Sequence, residues 1–137
     1  ISFEYALSYY GLIPEKVTTI TCATLDKKKK KIFTTQFGIF TYRDIPSMVY
    51  FEEVILKVEN NYSYQIATPE KALCDKLYTL KPLNNYENLE NMLFYDLRID
   101  REEFNKLSIE KIENLSNLYG SRNVKLLAKY MRRCGNE

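Results

Sequence analysis

The sequence predicts an α+β fold: a mainly antiparallel sheet in the first half, helices in the second half, and a short N-terminal helix. Three observations carry that expectation. The 137 residues fit one compact domain, and an apolar share of 45% with 12 Tyr and 7 Phe can fill a sizeable core. Up to Ala67 the chain is rich in β-branched and aromatic stretches, whereas from Thr68 onward apolar residues recur at helical spacing. Strands followed by helices, rather than alternating with them, point to segregation of the two kinds of structure.

Element by element, Ser2 reads as the N-cap of a first helix, with Phe3, Leu7 and Tyr10 on one face and Gly11 just past its end. Val17 to Thr24 reads as a strand. A lysine run then precedes Ile32 to Gln36 and Ile39 to Arg43, a predicted hairpin joined across Phe37 and Gly38. Val49 to Val58 is the next predicted strand, with Asn60 and Asn61 turning the chain into its partner, Tyr62 to Ala67. Thr68, Pro69 and Glu70 supply a capping hydroxyl, a proline at the first helical position and an acid in the first turn. Leu73, Leu77 and Leu80 then make a stripe predicted to be buried, and Lys81-Pro82 stops the helix. Tyr86 to Phe94 follows with Leu89 and Leu93 inward. Asp100 and Ser108 are predicted N-caps, the second opening Ile109, Ile112, Leu115 and Leu118 before Gly120. Ser121 caps the last helix, whose apolar face is Val124, Leu127, Ala128 and Met131. Residues 1–67 thus form a helix plus a β-rich part and 68–137 a helical part of one expected domain.

Composition removes several classes of chemistry. Without histidine the chain lacks the commonest general base, the usual catalytic triads and any histidine-containing zinc site. Four dispersed glycines form no phosphate-cradling loop. Cys22, Cys74 and Cys134 are odd in number and far apart, unlike a disulfide framework or a metal knuckle, and read as reduced thiols of a cytoplasmic protein. No apolar stretch approaches the roughly 20 residues of a membrane-spanning helix. With 20 basic and 18 acidic residues the net charge is +2, so any electrostatic argument rests on local clusters. The start at Ile1, with a helix cap already at Ser2, is abrupt and suggests a missing upstream domain.

Two clusters hold ten of the twenty cations. Lys27, Lys28, Lys29, Lys30 and Lys31 can meet phosphates from a hairpin tip, or can simply be solvated while protecting a sheet edge. Arg122, Lys125, Lys129 and Arg132 recur at i, i+3, i+7 and i+10, with Arg133 adjacent and no acid between Arg122 and Arg133. That stripe suits phosphates or an acidic protein partner, the partner being the favoured expectation, and otherwise it complements the helix C-terminus as a solvated face. Asp26 opens a D-x-K string of the kind metal-dependent nucleases use, but five following lysines generate the string trivially. Glu52 and Glu53, taken as neighbours on a strand, point to opposite faces and do not converge. Cys74 reads as a small core residue, and Phe33, Phe37, Phe40, Tyr42, Tyr50 and Phe51 read as structural aromatics of the sheet.

Four strings in order carry a resemblance. They are residues 1–15, ISFEYALSYYGLIPE; 18–21, TTIT; 37–43, FGIFTYR; and 64–75, YQIATPEKALCD. Together the chain resembles the C-terminal domain of AbiEi-type antitoxins, over nearly its whole length, with the tail from Leu97 to Tyr130 similar in pattern only. The resemblance implies an antitoxin and transcriptional-regulator domain of a bacterial type IV toxin–antitoxin (abortive infection) system. Its implied partner is a cognate AbiEii-type nucleotidyltransferase toxin, antagonised directly or functionally. It also implies repression of its own operon through operator DNA bound by an upstream winged helix, which does not precede Ile1 here. No catalytic residue, cofactor or metal is implied. The alternatives kept beside this reading are a small metal-dependent nuclease-like domain and a generic nucleic-acid-binding module.

Overall fold

A computed structural model describes residues 1–25, 31–36 and 38–135. The chain runs α1 (Phe3–Tyr9), β1 (Ile20–Thr24), β2 (Lys31–Thr35), β3 (Gly38–Asp44), a 3-10 turn (Ser47–Val49), β4 (Val54–Glu59) and β5 (Tyr62–Ala67). It continues through α2 (Pro69–Tyr78), α3 (Tyr86–Glu90), π-helical turns over Asn91–Asp96, α4 (Arg101–Asn105), α5 (Ile109–Tyr119) and α6 (Arg122–Gly135). The fold is α+β, with the strands in the first half and all helices but α1 in the second.

The strands form two separate sheets, ordered β1-β3-β2 and β4-β5. Lys31 to Thr35 and Gly38 to Asp44 are the expected antiparallel hairpin, but β1 joins β3 in parallel, Thr21 opposite Thr41. That sheet is therefore mixed, because the chain must cross from β1 before the hairpin returns alongside it. β1 is also shorter than the expected Val17 to Thr24. Residues before Ile20 are held by α1 instead, where the Val17 amide donates to Ser8 Oγ at 3.3 Å. The β4-β5 hairpin turns at Asn60 and Asn61, with φ of 46° and 71°, the left-handed pair that a two-residue turn needs and asparagine tolerates.

The largest departure lies before β4. Val49 to Glu53 is not strand: Val49 ends a 3-10 turn and is fully buried, and Glu53 turns the chain at φ 52°. Glu52 and Glu53 are consequently turn residues rather than strand neighbours. Glu53 is occupied, accepting from Thr68 Oγ1 at 3.3 Å and pairing with Lys111 at 3.3 Å. Phe33, expected as a core or cross-strand aromatic, pairs edge to face with Tyr42 of β3 while remaining 50% exposed, whereas Phe51 is 80% exposed because it leaves the turn outward, touching the Tyr50 ring. Phe37 lies outside the described residues.

Capping decides the helix limits as expected. Thr68, Asp100 and Ser108 side chains accept from the amides of Lys71, Glu103 and Lys111, and Ser121 Oγ accepts from the Val124 amide at 3.4 Å. Gly120 closes α5 at φ 63°, where a β-carbon would be strained. Ser2 occupies the cap position of α1 without capping it; its hydroxyl is used elsewhere.

α2 is the central element, packed against α1, α5, α6 and β5. Leu73, Cys74 and Leu77 are fully buried with Leu7, Ile66, Leu89, Leu93, Ile112 and Leu127, while Leu80 is half-buried at the margin. On α6, Val124, Leu127, Ala128 and Met131 face inward as the spacing requires. Asn123 is buried as well. Its Nδ2 donates to the carbonyls of Leu77, Leu80 and Lys81 at 2.9, 3.3 and 3.1 Å, so α6 ties down the chain where it leaves α2. Among the described residues no helix is long and apolar enough to cross a membrane.

Truncating the centre of this core is costly. Leu77→Ala is expected to lower the unfolding free energy by roughly 2–5 kcal/mol in denaturant melts; a loss below about 0.5 kcal/mol would place the side chain outside the packed core.

Candidate functional site

Three features of the structure are candidates for function: a buried polar cluster under α1, the basic stripe of α6, and apolar residues left uncovered on the strands.

The polar cluster was not anticipated from the sequence. Lys71 and Asp75, one helical turn apart on α2, are 1% and 0% exposed, and Lys71 Nζ reaches both Asp75 oxygens at 2.9 Å. Ser2 Oγ donates to Asp75 Oδ2 at 2.6 Å, and the Tyr119 hydroxyl donates to Oδ1. The Ser2 amide meets the Thr21 carbonyl at 2.9 Å, and Thr21 Oγ1 returns a bond to the Ser2 carbonyl at 2.5 Å. The spacing gave no signal for it: on the helix Ala72, Leu73, Cys74 and Leu77 take one side, and Lys71 and Asp75 share the opposite one, where a surface ion pair would be expected.

A hollow of about 150 Å³ adjoins this cluster, bordered by Tyr50, Phe51, Val54 and Gln65. Lysine, aspartate, tyrosine and serine in one place can hold or move protons, yet here every Asp75 oxygen is engaged within the protein. Burial, then the adjacent Asp75 charge, pushes the Tyr119 phenol well above its ordinary range, so it remains a donor rather than a base. Burial likewise pushes up the Cys74 thiol, which makes it a core residue rather than a nucleophile. Tyr10, pushed up to about 12 chiefly by burial, donates to the Ala67 carbonyl at 2.7 Å. The cluster is a satisfied structural network that joins α1, β1, α2 and α5.

The α6 stripe divides into two groups. Arg132 is paired with Glu113 of α5, and Arg133 lies over the Tyr86 ring at 5.3 Å. Arg122, Lys125 and Lys129 are exposed and form no ion pair among the described residues; together they border a surface hollow with Asn84, Gly120 and Leu126. Of the lysine run, Lys31 begins β2 and is exposed, whereas Lys27, Lys28, Lys29 and Lys30 lie outside the described residues, as does Asp26. Among the described residues, no three His, Cys, Asp or Glu side chains converge on a metal site.

The uncovered apolar residues lie on the strand-bearing side of the sequence. Ile32 on β2, Leu56 and Val58 on one face of β4, and Phe51 ahead of it are all more than half exposed. Sequence reasoning missed them because alternation identifies one buried face only when something packs on it. Comparison with known proteins adds no relative: no family model, curated protein or solved structure matches the chain.

Three variants test the structural role of the cluster. Asp75→Asn preserves shape but leaves the buried Lys71 ammonium uncompensated, and is expected to cost roughly 3–5 kcal/mol in urea melts. Lys71→Met with Asp75→Leu recovers much of that loss, short of all of it, because the Ser2 and Tyr119 hydroxyls lose their acceptor. Tyr119→Phe is expected to be about 1–3 kcal/mol less stable than the parent at pH 7. Above the ordinary tyrosine value of 10.0 the unfolded phenol ionises while the folded one keeps its proton, so the parent loses stability as pH rises and the gap to the variant narrows. Equilibrium melts at pH 7 and near pH ~11 read this directly.

Proposed function

We propose that this chain is the binding domain of an antitoxin, antagonising a nucleotidyltransferase toxin of a bacterial type IV toxin–antitoxin system without catalysing a reaction itself. The observation that carries the reading is how the four strings of the AbiEi resemblance interlock. Ser2 of the first string bonds to Thr21 of the second, and β1 pairs Thr21 with Thr41 of the third. Ser2 also bonds to Asp75 of the fourth, whose Ala67 amide donates to the Ile1 carbonyl at 2.8 Å. The four strings thus lie in one continuous scaffold, as parts of a single binding domain would.

A scaffold of this kind supports action by binding. Its most concentrated acid, base and hydroxyl groups are consumed in holding the chain together, while cations and apolar side chains remain on the outside. The absence of histidine from the sequence points the same way. The unpaired cysteines suit a reducing cytoplasm, where the proposed toxin also acts.

Co-expression supplies the test. The full-length gene product is expected to restore growth to cells expressing the neighbouring nucleotidyltransferase; no restoration overturns the assignment. Divalent-metal-dependent cleavage of DNA or RNA by the purified chain, lost in Asp26→Ala, would instead favour the nuclease reading.

A further inference from the structure

We propose that the face of α6 carrying Arg122, Lys125 and Lys129 binds the phosphate backbone of duplex DNA without reading its sequence. The three cations fall on one line of the helix. Seven residues separate the outer two, about 10 Å of helix rise, and phosphates of one DNA strand succeed one another by about 3.4 Å along the duplex axis. The stripe is therefore about three phosphates long.

Its surroundings suit a polyanion. Arg122, Lys125 and Lys129 have no carboxylate partner among the described residues, in contrast to Arg132, whose charge is met by Glu113. Glu113 borders a second hollow along α6, lined also by Asn114, Asn117, Lys125 and Lys129, and is held below the usual carboxylate range by its bond to Arg132. The exposed neighbours there are Asn114 and Asn117, with Asn84 beside Arg122 on the other flank, all neutral side chains that can donate to phosphate oxygens. The cations stand opposite Val124, Leu127, Ala128 and Met131, so the core fixes the helix that carries them.

The same features weigh against a protein partner on this face. Protein interfaces centre on apolar or aromatic anchors and are depleted in lysine, whereas the only large apolar side chain bordering the first hollow is the half-buried Leu126. Neither hollow is bordered by an aromatic ring, so the face offers no platform for unstacked bases and suits a duplex rather than a single strand. Two of the three cations are lysines, point charges that suit phosphate oxygens rather than the paired acceptors of a base edge, so contacts end at the backbone.

The test is fluorescence anisotropy of the 137-residue chain with labelled duplexes of about 20 base pairs in two unrelated sequences, titrated between about 50 and 200 mM salt. Expected are dissociation constants of about 10⁻⁴–10⁻⁶ M at physiological salt, similar for both duplexes, and a log–log salt slope of roughly −3. Lys125→Glu with Lys129→Glu is expected to weaken binding at least about 10-fold and to flatten the slope by about two. Lys16→Glu with Lys106→Glu changes the net charge equally outside this face and is expected to stay within about threefold of the parent. Circular dichroism confirms that both pairs fold. Absence of duplex binding, equal loss in the two double variants, or unchanged binding by the α6 variant, which would leave the lysine run at 27–31 as the contact, each overturns the proposal. So does equal affinity for a single strand, or loss of toxin capture in the α6 variant with duplex binding intact.

Discussion

A carboxylate shut away from water must be given partners by the fold, and Asp75 receives three: the Lys71 ammonium, the Ser2 hydroxyl and the Tyr119 hydroxyl. An isolated charge at that depth would be prohibitive, and even a good ion pair returns little net stability against its desolvation. What the arrangement does supply is a requirement. α1, α2 and α5 must all be in place before the charges are satisfied, and the bonds between Ser2 and Thr21 bring β1 into the same condition. Around this centre the apolar residues of α2, α5 and α6 close without a buried side-chain polar atom left unpaired among the described residues.

Much of the frame was legible because it depends on local rules. Caps at Thr68, Asp100 and Ser108, the left-handed glycine at 120, the asparagine turn and the inward stripe of α6 follow from neighbouring residues alone. The rest depends on which surfaces meet. Val49 and Tyr50 have strand-forming side chains, yet burial of Val49 is reached through a 3-10 turn. The parallel pairing of β1 with β3 is a long-range choice that β propensity does not encode. Lys71 and Asp75 look like an ordinary surface pair one helical turn apart until Ser2 and Tyr119, from either end of the sequence, close over that side of α2.

The candidate site shows the same division. The recurrence of Arg122, Lys125 and Lys129 on one face is fixed by helical geometry, and the structure leaves them exposed. Nothing in the sequence indicated that Arg132 would be taken by Glu113 or Arg133 by Tyr86, because both partners come from other helices. The surface is consequently uneven: cations without partners on the last helix, and apolar side chains without cover on β2 and β4. Two faces so different in chemistry suit two different contacts.

The change of hydrophobic period at Thr68 looks like a seam between two modules, and the Asp75 cluster shows that it is not one. Ser2 belongs to the strand-bearing half, while Lys71, Asp75 and Tyr119 belong to the helical half. The Glu53 carboxylate crosses the same boundary to Thr68 and Lys111, and the Ile1 backbone to Gln65 and Ala67 lies just before it. Separated at that point, the helical half would keep an ion pair stripped of its lid and the strands would lose the surface they rest on. The two halves are therefore not exchangeable cassettes: a recombination event at the apparent seam would have to carry a matched residue 2 and a matched α2 together.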